Sequence, residues 1–355
     1  MTDSETRSPR ANPDLVGHEA AERDLRRLFD AGRLPHALLI SGPRGIGKAT
    51  LAFRLARFVL TPQAGSLFGN APAAGEGLWT DPESGVFRRI AAGGHADVLT
   101  VERAFDPRRK RLRSEIVVAD TREIGSFLHL TPAEGGWRVV IVDGADAMNR
   151  NAANALLKIL EEPPRQTLLL LVAHSAGRLL PTIRSRCRRL PLAPLPPDTI
   201  RDLLARHRPD LSPADGDAVV ALSGGSIGAA LDLVAAGGVE LYRAALSLIR
   251  PARELDIAAL HGFADKLARP DAEDAYRVVE DLLAQFLARL AVATARGDTL
   301  AGAEGEAAKR VRAPAAHWAG LRDEIAERFA RTDGLNLDKK QTILGTYFAI
   351  GEAAG

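Results

Sequence analysis

The chain has 355 residues, room for two or three domains at ~100–200 residues each. Its 46% hydrophobic and 26% charged residues describe a globular protein with a full core and exclude a disordered tail. The 47 basic and 45 acidic residues leave a formal net charge of +2. Bulk attraction to nucleic acid is therefore excluded, and any such contact must be a local patch. The single cysteine, Cys187, excludes an intrachain disulfide and every multi-cysteine zinc or iron–sulfur site. No apolar run reaches membrane-spanning length, and residues 1–7 lack the apolar core of a secretory leader. A soluble cytoplasmic protein with no membrane partner is expected.

Residues 1–13 are polar and punctuated by proline, as in a flexible leader. Ala37–Ser41 predicts a strand running into a Gly-rich turn. From Lys48 to Leu60, Leu51, Ala52, Leu55, Phe58 and Val59 recur at helical spacing. Residues 62–94 are rich in Gly, Ala and Pro and predict a long insertion or loop. The basic run 108–113 fits a solvated hairpin or loop, or a DNA-facing patch. Arg138–Asp143 predicts a second buried strand. Residues 151–162 predict a helix that Pro163-Pro164 stops, and Thr167–Ala173 is a third apolar run. Such alternation is the mark of a parallel sheet covered by helices.

After Pro191 the character changes. Pro194-Leu195-Pro196-Pro197 reads as a linker, and no strand pattern follows it. Residues 199–235 predict short helices, the last opened by Ser223-Gly224-Gly225-Ser226. Longer helices are expected over 272–296, 318–331 and 337–353. The expected divisions are a leader (1–13), an α/β domain (14–193), a small helical domain (194–240) and an all-helical domain (241–355).

The strongest chemical signal is Gly42-Pro43-Arg44-Gly45-Ile46-Gly47-Lys48, between a strand and a helix. Glycines let backbone wrap a phosphate, the helix N-terminus presents unpaired N–H groups, and Lys48 adds a charge at the β and γ phosphates. A P-loop wants Ser or Thr directly after its lysine to hold Mg²⁺, but Ala49 stands there. Thr50 lies one residue on, about 100° further around the helix. Asp143 ends the second strand where a Walker B acid belongs. The next position, where motor ATPases usually carry a water-orienting glutamate, is Gly144, and Asp146 lies beyond it, poorly placed as a substitute. On the residues alone, Arg184, Arg186, Arg188 and Arg189 are an ordinary solvated cluster, and Cys187 is a packed thiol rather than a nucleophile.

The order of these pieces carries a resemblance. The P-loop, the strand ending in Asp143, Asn154-Ala155-Leu156-Leu157-Lys158-Ile159-Leu160-Glu161-Glu162-Pro163-Pro164 and then Ser185-Arg186-Cys187 resemble the clamp-loader branch of the AAA+ superfamily, in its bacterial DNA polymerase III form. Leu15-Val16-Gly17-His18 is similar to the segment lining that family's adenine pocket. Gly32-Arg33-Leu34-Pro35-His36-Ala37 and Leu335-Asn336-Leu337-Asp338-Lys339-Lys340-Gln341 resemble further family segments. The resemblance implies an α/β AAA+ domain over 14–193, a helical lid over 194–240 and a helical collar over 241–355. It implies a ring of five subunits, with delta and gamma/tau subunits as neighbours and the sliding clamp and primer-template DNA as partners of the assembly. It also implies that Arg186 is a finger completing a neighbour's ATP site. The nucleotide residues it implies are Val16, Gly17, Gly42, Pro43, Arg44, Gly45, Ile46, Gly47, Lys48, Ala49, Thr50 and Asp143.

Departures from the family pattern matter as much. Family members commonly carry a multi-cysteine zinc module between the P-loop helix and the Walker B strand, and residues 62–115 contain no cysteine, so no zinc is expected. The lid arginine of a Gly-Ser-x-Arg segment is replaced in Gly225-Ser226-Ile227-Gly228. With Ala49, Gly144 and Gly228 together, a non-hydrolysing subunit is expected. It would require no cofactor, while its cradle would still accept ATP or ADP with weakly held Mg²⁺. The rival expectation is a self-sufficient gamma/tau-like motor ATPase. A small-molecule kinase would need acceptor-site acids and a lid arginine cluster that the sequence lacks.

Overall fold

The computed structural model describes residues 8–62, 77–106, 111–134, 136–300 and 302–353. Residues 1–7 of the expected leader and 108–110 of the basic run lie outside the described residues. The chain divides into two compact units: residues up to Leu211 with Gly224–Gly228, and Ser212–Ser223 with Ala229–Gly355.

The first unit is built on strands β1 (Ala37–Ser41), β2 (Val98–Val101), β5 (Arg138–Asp143), β6 (Thr167–Ala173) and β7 (Arg188–Pro191). They form one parallel sheet in the order β2-β5-β6-β1-β7. A parallel sheet is covered on both faces, so its inner strands are apolar throughout, as Leu38-Leu39-Ile40, Val139-Val140-Ile141-Val142 and residues 167–173 are. Helices α1 (Glu19–Asp30), α2 (Lys48–Leu60) and α3 (Gly85–Ala91) belong to this unit. So do α4 (Val118–His129), α5 (Arg150–Glu161), α6 (Pro181–Arg184) and α7 (Pro197–His207). One face of the sheet packs Leu38, Ile40, Val139 and Leu170 against Leu25, Leu51, Leu55 and Phe58. The other packs Leu39, Val140 and Leu171 against Ile124, Leu156, Leu160 and Ile183.

The stretch over 62–94, expected as a long insertion or loop, holds a helix, α3. Ser84 caps α3 by accepting from the Phe87 amide at 3.2 Å. Val86, Phe87 and Ile90 are buried, and the Arg57 guanidinium sits 4.4 Å from the Phe87 ring centre. Three apolar residues on one face, plus a cap, were enough to make a helix inside a Gly- and Ala-rich segment. Arg111–Leu112 of the basic run forms a short strand, β4, paired antiparallel with β3 (Phe105–Asp106).

The second unit is helical: α8 (Pro213–Leu222), most of α9 (Ile227–Ala235), α10 (Gly238–Ser247), α11 (Ile257–Leu267), α12 (Glu273–Arg296), α13 (Gly302–Arg310), α14 (Ala315–Leu335) and α15 (Lys339–Ala353). Tyr276, Val279, Leu283 and Phe286 of α12 are buried with Trp318, Ile325 and Phe329 of α14. The Tyr276 and Phe329 rings lie 5.1 Å apart. Arg289 and Tyr242 both bind the Glu304 carboxylate, with Arg289 at 2.6 Å, so this charge is not left alone in the core. No described helix is long and apolar enough to cross a membrane.

Candidate nucleotide site and a surface arginine

Strand register places the site. Ser41 aligns with Ala173, and Asp143 with Val172, so β1, β5 and β6 end at the same edge of the sheet. Ligands of open parallel sheets sit beyond that carboxyl edge. The P-loop emerges there, with φ of 148° at Gly42, 75° at Gly45 and 101° at Gly47. These are left-handed values that glycine adopts without strain. Gly47 is the residue before α2, so the helix's first amides point into the loop.

Lys48 is 3% exposed, and its Nζ donates to the Pro43 carbonyl at 2.5 Å. Burial pulls its ammonium down to about 8, opposed by Asp143 and Asp146. Asp143 is pushed above the usual carboxylate range by burial and then by Glu102, with Lys48 pulling the other way. The fold thus brings Lys48 and Asp143 into one electrostatic neighbourhood. Leu15-Val16-Gly17-His18 also reaches the loop. The His18 Nε2 lies 2.6 Å from the Ile46 carbonyl oxygen, and a Cβ on Gly47 would come within 3.1 Å of Leu15. The sequence marked His18 only as part of its segment; its direct bond to the P-loop is the addition.

The donors present suit phosphate and do not suit a tightly held Mg²⁺. Pro43 and Arg44 are exposed, Ala49 has no oxygen to offer, and Thr50 is buried in α2. Asp146 is engaged by backbone amides. Its carboxylate accepts from the His174 amide at 3.1 Å and the Ser175 amide at 3.0 Å, tying the turn after β5 to the end of β6. The imidazole of His174 is held below its ordinary value by burial and then by Lys48. Gly144 has φ 81° and open space around a Cβ, so a glutamate there is opposed by backbone conformation rather than by crowding.

The segment Gly224–Gly228 lies on the P-loop. Ser226 Oγ donates to the Arg44 carbonyl at 2.8 Å, and the Gly228 amide donates to the Gly45 carbonyl at 3.0 Å. A Cβ on Gly228 would stand 2.7 Å from Gly45 Cα. The position matched to a lid arginine therefore has no room for any side chain while the two backbones remain in contact.

Arg186 lies elsewhere. Arg188 pairs with Leu38 at the start of β1, so Arg186, two residues earlier, belongs to the edge where the strands begin. Its Nη2 lies 2.7 Å from Glu161 Oε1, and its Nη1 donates to the Thr182 carbonyl at 3.0 Å. Its side chain is 36% exposed. Arg188 and Arg189, expected within an arginine cluster, are exposed residues of strand β7. Cys187 is buried beside Leu179 and Ile183, and burial pushes its thiol up to about 11.

A parallel sheet in which one strand separates the P-loop strand from the acid-ending strand, followed by a helical unit, is that of an AAA+ P-loop protein. A family model described as "DNA polymerase III, delta subunit" matches residues 17–196. The chain belongs to this family, within the clamp-loader branch of the AAA+ superfamily. It is 42% identical over 197 residues to the DNA polymerase III subunit delta' of Pseudomonas aeruginosa, covering 54% of this chain and 53% of that one. It is 34% identical over 286 residues to the subunit gamma/tau of Mycobacterium tuberculosis, covering 78% and 46%. The chain spans about half the length of these curated relatives. A DNA polymerase III gamma subunit-related protein of Thermotoga maritima aligns at 20% identity with a TM-score of 0.44, covering 93% of this chain and 99% of that one.

Proposed function

We propose that this chain is a delta-prime-like subunit of the DNA polymerase III clamp loader, one that does not hydrolyse ATP itself. In this role it joins delta and gamma/tau subunits in a five-membered ring, helps load the sliding clamp on primed DNA, and completes a neighbour's ATP site with Arg186. The observation that carries the proposal is the placement of Arg186 relative to its own P-loop. From the register of Leu38 to Gly42 the chain advances four residues along β1, roughly 13 Å at ~3.3 Å per residue. Arg186 and Lys48 lie at opposite ends of that path. A guanidinium there serves a site in another chain, where a planar cation stabilises charge on a transferring phosphoryl group. The chain's own cradle meanwhile lacks the magnesium hydroxyl at Ala49, the water-orienting acid at Gly144 and the lid arginine at Gly228.

Extensive similarity to a gamma/tau subunit and the retained Lys48 and Asp143 favour the second reading, a motor ATPase. Assaying the purified chain for ATP binding and hydrolysis separately divides the two. The proposal expects weak binding and no hydrolysis above background. Turnover at the rate of a motor subunit, abolished by Lys48→Ala, would reverse the choice. In a loader reconstituted with the gamma/tau and delta subunits of the same genome, Arg186→Ala should lower DNA-stimulated ATPase while Arg189→Ala should not. Arg186→Lys should restore it only in part, since an ammonium lacks the planar fork.

A further inference from the structure

We infer that Glu161 is the positioning residue of the Arg186 finger, holding its guanidinium ready at the surface of the subunit before any neighbour's nucleotide arrives. The inference rests on the finger role proposed above and adds a second residue to it. An arginine side chain carries much rotamer freedom, and one that swings freely must lose it as the transition state forms. Here that freedom is already restricted. Nη1 is anchored by the Thr182 carbonyl of α6 at 3.0 Å, and Nη2 by Glu161 Oε1 at 2.7 Å. The two anchors come from different helices, α5 and α6, which pack together beneath Leu156, Leu160 and Ile183. Together they hold the guanidinium from two sides.

The anchoring leaves capacity for a ligand. Guanidinium has five N–H donors; the Thr182 carbonyl engages one and the Glu161 carboxylate faces the second amino group, so donors remain for phosphate oxygens. Glu161 is 48% exposed and Arg186 36%. A pair so open to water is weak; it orients the arginine without neutralising it as a buried partner would. The acid sits on the last residue of α5, on a helix whose Ala152, Leu156 and Leu160 are fixed in the core. Its backbone is therefore rigid, which a positioning group requires. Glu162, the next residue, is exposed and serves as the comparison.

The test uses the reconstituted loader and four versions of this chain: Glu161→Gln, Glu162→Gln, Arg186→Ala and the double variant Glu161→Gln with Arg186→Ala. Glutamine keeps the size and an acceptor oxygen but removes the charge. The expected result is a fall of about two- to fivefold in kcat for DNA-stimulated ATP hydrolysis with Glu161→Gln, the range an exposed ion pair supplies. KM for ATP should be unchanged, Glu162→Gln should match the parent, and the double variant should equal Arg186→Ala alone. If Arg186→Ala lowers the rate but Glu161→Gln does not, the positioning role is overturned and the finger survives. An increase in rate with Glu161→Gln would make Glu161 a restraint that Arg186 must escape, and would also overturn the inference. Equal losses from Glu161→Gln in the presence and absence of Arg186 would assign Glu161 a separate role. If Arg186→Ala has no effect, the finger and its positioning residue fall together.

Discussion

Alanine at Gly228 gives a test whose sign is decided by geometry. In most helices Gly→Ala is stabilising, by up to about 1 kcal/mol, and Gly228 is the second residue of α9 with no positive φ to forbid a side chain. Yet its Cβ would stand 2.7 Å from Gly45 Cα and 3.3 Å from Gly45 O. Carbon atoms rest at about 3.5–4.0 Å, and the obstacle is backbone, which no rotamer change can move aside. The two segments must therefore part by about 1 Å. Overpacking of this kind costs about 1–3 kcal/mol. The separation also weakens the 3.0 Å Gly228–Gly45 and 2.8 Å Ser226–Arg44 hydrogen bonds, each contributing about 0.5–1.5 kcal/mol. Allowing for the helix-propensity gain, the net loss is about 1–3 kcal/mol, or a fall in Tm of roughly 3–10 °C for a unit of this size. Thermal unfolding followed by circular dichroism measures it. The control is Gly125→Ala in α4, where a Cβ would meet nothing within 4 Å; it should leave Tm unchanged or raise it. A rise in Tm with Gly228→Ala equal to that of Gly125→Ala would refute the contact. By the same reasoning, Gly228→Arg should fail to restore hydrolysis and should destabilise more.

Other expectations follow from the charges and surfaces. Lys48 is held at about 8 against an ordinary 10.5, so between those values the unfolded chain binds the proton and the folded one releases it; this group's contribution to stability grows as pH rises through that window. Nucleotide phosphates favour the ammonium, so ATP affinity should weaken above about pH 8, and Lys48→Arg should flatten the profile; titrations from pH 7 to 9.5 that show no such difference would count against Lys48 as the phosphate ligand. Cys187, buried and pushed up to about 11, should resist iodoacetamide at pH 8 in the native protein and react once the chain is unfolded in guanidinium. Leu335 and Leu337 are 62% and 47% exposed, so Leu335→Asp with Leu337→Asp should leave Tm within about 2 °C of the parent but reduce co-purification with gamma/tau and delta subunits if the helical unit is the collar.

The parts legible in the sequence were those whose signal is local. Strands β1, β5 and β6 are inner strands buried on both faces, so each is an uninterrupted apolar run, and their limits follow from it. The P-loop is equally local, a spacing of glycines before a lysine. Edge strands were not legible. Val98–Val101 is only four residues and half-buried, and Arg188–Pro191 begins with two arginines and ends with proline. What makes β7 a strand is the neighbouring β1, a partner about 150 residues away in the chain. The same limit applies to the site. Asp146 looked like a poorly placed spare acid, because its two amide partners lie 28 and 29 residues on. Gly228 read as the loss of an arginine, whereas the close approach of Gly45 makes it a steric requirement as well. Glu161 was one acid in a longer motif until α5 and α6 brought it to Arg186.

The separation of the P-loop and Arg186 to opposite edges of one sheet also gives the molecule a direction. A contact that joins the finger edge of one subunit to the cradle edge of the next is heterologous, so copies would add head to tail and their order would have a beginning and an end. A member with a competent finger and an incompetent cradle can donate to such a series but cannot extend the run of working sites behind itself. It would belong at one terminus only, and a second copy inserted inside the row would interrupt it. On the proposed function, the order of the assembly would then follow from the residues Ala49, Gly144 and Gly228.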